Sequence, residues 1–166
     1  MLDSGRMHKH SVLREGVVVG LGGALAVAIW FLIYDAAAGV PLRTPALLAA
    51  ALFEGARDPA LAGVTARRVL EYTAVHGAVF IGFGLIASGI FALADRDRRV
   101  LFAVFMLFCC FEVIFLAVVA VLFQWLLSEI EPWAILAGNA LAAVVMLGML
   151  FRRHRRSPAE LLEAGE

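Results

Sequence analysis

The chain has 166 residues, 63% of them hydrophobic and 17% charged, and its 14 basic and 14 acidic side chains cancel to zero net charge. So apolar a composition excludes an ordinary soluble domain and points to long segments buried in lipid. It also excludes a nucleic-acid partner: Lys9 is the only lysine, and the arginines sit in short patches between apolar runs instead of forming one basic face.

A helix needs roughly 20 apolar residues to cross a hydrocarbon core, and runs of that length stand at about residues 16–37, 69–94, 100–127 and 133–151. The first run follows Arg6, Lys9 and Arg14 and ends on Ala36-Ala37-Ala38, which has the form of a leader cleavage site. Its apolar core exceeds the roughly 7 to 15 residues of a secretory leader, so it is read as a span that stays. Next comes Thr44-Pro45, a hydroxyl cap followed by proline at the first helical position, with Leu47, Leu48, Leu52 and Phe53 before Gly55. This predicts a helix over about 45–55, too short to span, that lies at the outer interface or caps the bundle. Asp58-Pro59 starts a further short turn, and Thr65 caps the second span.

The second run carries Tyr72, Thr73 and His76 and ends at Asp95-Arg96-Asp97-Arg98-Arg99. The third holds Phe102, Phe105, Phe108, Phe111, Phe115 and Phe123, with Glu112 in its middle. Its two cysteines, Cys109 and Cys110, point about 100° apart on a helix and are read as free thiols. The fourth begins at Trp133 and contains Asn139; the tail, 152–166, opens with Arg152, Arg153, Arg155 and Arg156. Ser157-Pro158-Ala159-Glu160 then has capping-box form and predicts a short helix ending near Gly165.

Arginine and lysine set the orientation. The N-terminal stretch, the 95–99 loop and the tail are basic, whereas Ser128-Glu129-Ile130-Glu131-Pro132 holds no basic residue, so both termini are expected in the cytoplasm. Arg43, Arg57, Arg67 and Arg68 fall on the outer side against this rule, in a loop long enough to weaken it. Trp30, Tyr34, Trp125 and Trp133 then form the outer aromatic belt. Small residues spaced by four allow transmembrane backbones to approach, and Gly20, Ala24 and Ala28, Gly84 and Ser88, and Gly138 and Ala142 have this spacing.

A carboxylate as deep as Glu112 costs several kcal/mol unless paired or hydrated, which marks it as a site or an internal bond. Counted at 1.5 Å per residue, Glu112 falls roughly 12 Å from the outer edge and His76 and Asn139 about 9 to 10 Å from it. Three helices thereby place an acid, an imidazole and an amide on one level, with Tyr72 and Thr73 one turn outward and Tyr34 as a cap. The group reads either as an interhelical hydrogen-bonded clamp or as a site in which His76 and Glu112 hold a metal ion or relay a proton. One histidine and one carboxylate are too few for a closed zinc site, and no phosphate loop, nucleophile elbow, Cys-x-x-Cys or His-Glu-x-x-His occurs.

Trp30-Phe31-Leu32-Ile33-Tyr34-Asp35 running to Thr44-Pro45-Ala46-Leu47-Leu48, then Tyr72-Thr73-Ala74-Val75-His76, then Gly138-Asn139-Ala140-Leu141-Ala142-Ala143 with Arg152-Arg153-His154, together resemble an uncharacterised bacterial family of small four-span integral membrane proteins. The resemblance implies four spans and supplies no substrate, cofactor or reaction. The expectation is therefore one all-α membrane domain over 1–166, a four-helix antiparallel bundle with a short interfacial helix in its first loop. Its expected partners are the inner-membrane lipid and a second copy or a larger membrane complex. Its expected role is that of a non-enzymatic accessory or self-associating subunit, the alternative being a metal-binding or proton-relaying redox component that uses His76 and Glu112.

Overall fold

The computed structural model describes residues 4–94 and 124–154. The 95–99 loop, most of the third apolar run with Cys109, Cys110 and Glu112, and the expected tail helix lie outside the described residues. Every regular element described is helical: α1 (Ser4–Ala37), α2 (Arg43–Glu54), a 3-10 turn (Pro59–Leu61), α3 (Ala66–Ala94), a one-turn α4 (Leu126–Glu129) and α5 (Pro132–His154). The stretches Val12–Ala37, Ala66–Ala92 and Pro132–Arg152 are long and apolar enough to cross a membrane. At 1.5 Å per residue they reach roughly 39, 40 and 32 Å, against a hydrocarbon core of about 30 Å. A third or fewer of their residues are buried within the protein. These are the helices of a membrane protein, and most of their apolar surface is left for lipid or for further protein.

α1 is the axis of the described fold. It packs along both α3 and α5, which hardly touch each other. Lipid gives apolar side chains no reason to leave it, so such helices associate through close backbone approach and dispersion contact. The α1–α3 crossing is the closest approach, because glycines meet there from both sides. A methyl group on Gly84 would lie 2.5 Å from the Gly20 nitrogen and overlap the Gly16 carbonyl oxygen, and one on Gly16 would come within 2.6 Å of the Leu85 Cα. One turn nearer the Val12 end, the buried Ser88 hydroxyl donates to the Val12 carbonyl oxygen at 3.1 Å. On its other face α1 receives methionines: the Met149 sulfur lies over Gly22 and that of Met146 over Gly23. Of the expected small-residue series, Gly20 and Ala24 are in the seam, while Ala28 is exposed.

The pairing of Gly16 with Leu85 and of Ala24 with His76 runs α3 antiparallel to α1. Gly22 against Met149 and Trp30 against Gly138 do the same for α5. One end of the fold is thus marked by Val12, Ser88 and Leu150, the other by Tyr34, α2 and Trp133.

The Tyr34 end is the more elaborate. Leu47, Ala50 and Ala51 of α2 pack with Ala62, Leu126 and Ile130, all buried, and Phe31, Trp125 and Ile135 close the cluster. The third apolar run, expected to span as far as residue 127, has given way to a turn at Gln124 and Trp125, followed by α4. Its last residues are apolar because they pack against α2, not because they face acyl chains. α3 likewise starts at Ala66, three residues before the expected 69, since the Thr65 hydroxyl accepts the Arg68 amide at 3.3 Å and caps a turn that hydropathy alone would exclude.

Arg43 pairs with Glu129 and so ties α2 to α4. Arg68 makes a fork on Glu54, Nε to Oε1 at 2.9 Å and Nη2 to Oε2 at 2.6 Å, which joins the start of α3 to the end of α2. The guanidinium holds the Glu54 carboxyl below its ordinary value of 4.5. A carboxyl whose folded pKa is depressed adds stability above its unfolded pKa and loses it as pH falls through the folded one. The melting-temperature gap between the parent and Glu54→Gln should therefore be present at pH 7, begin to close below pH 4.5 and vanish in stronger acid. A gap unchanged at about pH 2, well below ordinary carboxylate values, would show that the fork contributes nothing.

Candidate functional site

α1 ends where Gly39, at φ +78°, turns the chain out of the helix, and α2 begins four residues later. The link closes through Asp35, which is 3% exposed. Its Oδ2 accepts the Thr44 amide at 2.7 Å and its Oδ1 accepts the Thr44 hydroxyl, also at 2.7 Å. A helix leaves its first amides unpaired and carries partial positive charge there, so an acid from another helix serves as the cap. Leu42, the residue just before α2, holds φ +65° and makes no side-chain cap of its own. A left-handed leucine costs about 1–2 kcal/mol, a strain that the paired carboxyl offsets. The expectation that Thr44 caps a helix starting at Pro45 is thus corrected: α2 starts at Arg43, and Thr44, inside its first turn, donates to the cap instead of being it.

Beside this junction α1, α2 and α3 leave a groove of about 100 Å³. Val27, Phe31 and Leu32 of α1 form one wall, Leu42, Thr44 and Pro45 the end under α2, and Tyr72, Thr73 and His76 of α3 the other wall. Tyr72, His76 and Phe80 recur every fourth residue and so share one face of α3. Tyr72 and His76 stack at 5.5 Å between centroids, and His76 and Phe80 lie 4.7 Å apart. His76 Nε2 lies 3.2 Å from the Ala24 carbonyl oxygen. That oxygen can only accept, so the ring carries its proton on Nε2, and in the neutral imidazole Nδ1 is left as an acceptor.

The other expected site residues are distributed differently. Thr73 lines the groove, but its hydroxyl donates to the Val69 carbonyl of its own helix at 2.7 Å. Tyr34 belongs to the α1–α5 seam, with ring contacts to Phe31 at 6.0 Å and Trp133 at 5.9 Å. Beside it the Trp30 indole donates to the Ala134 carbonyl oxygen at 2.8 Å. Asn139 follows Gly138 on α5, and Gly138 meets α1 at Trp30 and Phe31, whereas His76 meets it at Ala24. Asn139 therefore stands about one to one and a half turns nearer the Tyr34 end than His76, roughly 5 to 8 Å, with α1 between their helices. Glu112 lies outside the described residues. Among the described residues, no three His, Cys, Asp or Glu side chains gather closely enough to hold a metal ion.

Asp35 is the residue that sequence reasoning missed. Its signal was available: an acid at the end of an apolar span, nine residues before a Thr-Pro helix start. No family model, curated protein or solved structure matches this chain.

Proposed function

We propose that the chain is a four-span antiparallel bundle of the bacterial inner membrane with both termini cytoplasmic, acting as a non-enzymatic accessory or self-associating subunit. The fourth crossing is supported by where the described helices end. α3 delivers the chain to the Val12 end and α5 takes it up at the Tyr34 end, and the apolar run at 100–127 supplies the length for the return. The basic N-terminal stretch and tail assign the Val12 end to the cytoplasm.

The observation that carries the subunit role is how much of α3 and α5 is open. Leu70, Val79 and Ile86 on α3, and Leu136, Val144 and Phe151 on α5, are all exposed large apolar residues. Among the described residues, a methyl group on Gly82 or Gly89 would meet nothing within 4 Å. Helices with free apolar faces and unfilled glycine notches suit assembly in lipid, where small residues permit close contact. The test is stoichiometry in the native membrane. Single-molecule photobleaching of the tagged chain should show two or more copies, or affinity purification should bring down one membrane partner in fixed ratio. A lone copy with no stoichiometric partner would overturn the reading.

A further inference from the structure

We propose that the groove between α1, α2 and α3 binds a neutral, ring-bearing lipid with a free hydroxyl, a quinol of the membrane pool. The inference is independent of the assembly reading, because every residue described as lining the groove belongs to one chain. Its polar groups select the head. His76 spends Nε2–H on the Ala24 carbonyl and offers Nδ1 as an acceptor. Tyr72 offers a phenolic hydroxyl, and among the described residues its one partner is the stacked His76 ring. A ligand hydroxyl suits both groups, able to donate to Nδ1 and to accept from Tyr72, since a hydroxyl is a donor and an acceptor at once.

Charge selects against the ionic alternatives. Among the described residues that line the groove, Asp35 is the one ionisable group besides His76 and Tyr72, and both of its oxygens are already taken by Thr44. Among the described residues no arginine or lysine lines the groove, so a phosphate or carboxylate head finds no counter-charge there and an ammonium head no free acid. The walls select a ring, since Phe31 lines the groove from α1 and Tyr72 and His76 line it from α3, and aromatic rings pack well in offset or edge contact. Ala28 and Leu32, exposed on the lipid side of α1, leave a path for an apolar tail.

The test uses decylubiquinol and the full chain in nanodiscs of neutral lipid, with binding measured above the partitioning into empty nanodiscs. The expected result is saturable binding at one per chain. Tyr72→Phe, which keeps the stacked ring and removes only the hydroxyl, should weaken it about tenfold, and Leu32→Trp, which fills the groove, should abolish it. Leu136→Trp, on the exposed face of α5 away from the groove, should bind like the parent. Binding no greater than partition would overturn the proposal. So would equal affinity for decylubiquinol and its dimethyl ether, which lacks the hydroxyl. Preference for 1-decanoylglycerol over the quinol would also overturn it, by assigning the groove to an acylglycerol.

Discussion

Gly84→Val should separate α1 from α3 and cost about 3 kcal/mol or more, at or beyond the upper end of ordinary overpacking penalties. Overpacking is cheap where a side chain can swing aside. At Gly84 the obstacles are the Gly16 carbonyl oxygen, the Gly20 nitrogen at 2.5 Å and the Gly20 Cα at 2.8 Å, so the two backbones themselves must part. The seam then opens along its length. The Ser88 hydroxyl loses the Val12 carbonyl at one end, and His76 loses the Ala24 carbonyl toward the other. Gly82→Val on the same helix is the control, because none of the described residues lies within 4 Å of a side chain there and valine is, if anything, the better helix former. Denaturant unfolding in detergent should show a large loss for Gly84→Val and almost none for Gly82→Val. Equal losses would mean that the damage comes from helix propensity or membrane insertion and not from the crossing.

The contrast between those two glycines also marks how far the sequence could be read. Length and hydropathy suffice for the three described spans, since a lipid-facing helix must be apolar all round and no other pattern gives that. Spacing by four picked out Gly20, Ala24, Gly84 and Ser88, which do form the α1–α3 seam. It gave no reason to drop the exposed Ala28, because the four-residue spacing names a face without naming what packs on it. Two helices press on α1, so it carries small residues on two faces, and Gly22 and Gly23, which receive the methionines of α5, fell outside a search for a single stripe. The start of α3 was hidden for a related reason. Hydropathy dates the start of a span from its first apolar residue, whereas α3 starts where Thr65 caps it, with Arg67 paired to Glu71 and Arg68 to Glu54. Each charge in that first turn has a partner, so the helix begins earlier than its apolar run.

Asp35→Ala should be the second costly change, with a loss of about 3 kcal/mol, and Asp35→Asn should cost about 1 kcal/mol. Alanine removes both acceptors and leaves the Thr44 amide and hydroxyl buried with nothing to bond. A helix cap is worth about 1 kcal/mol, and a buried donor stranded by loss of its partner costs about 1–3 kcal/mol. Leu42 would then hold its φ of +65° without the Asp35–Thr44 bonds that offset the strain. Asparagine keeps one acceptor for the Thr44 amide, and its NH₂ donates to the Thr44 oxygen once that hydroxyl turns away. It loses chiefly the charge at the helix start, worth about 0.3–1 kcal/mol. Thr44→Val in the Asp35→Ala background should add little, because the hydroxyl has already lost its partner, so the two losses combine to less than their sum. The readout is chemical unfolding in detergent, together with protease sensitivity of the link between α1 and α2. Without Asp35 the start of α2 frays and residues 38–43 become cleavable, while α1 and α3, held by their glycine seam, keep their helical signal. If Asp35→Ala and Asp35→Asn fall together, the residue serves insertion or solubility. If the full loss spares the link, α2 is held by its apolar cluster with Leu126 and Ile130 and not by the acid.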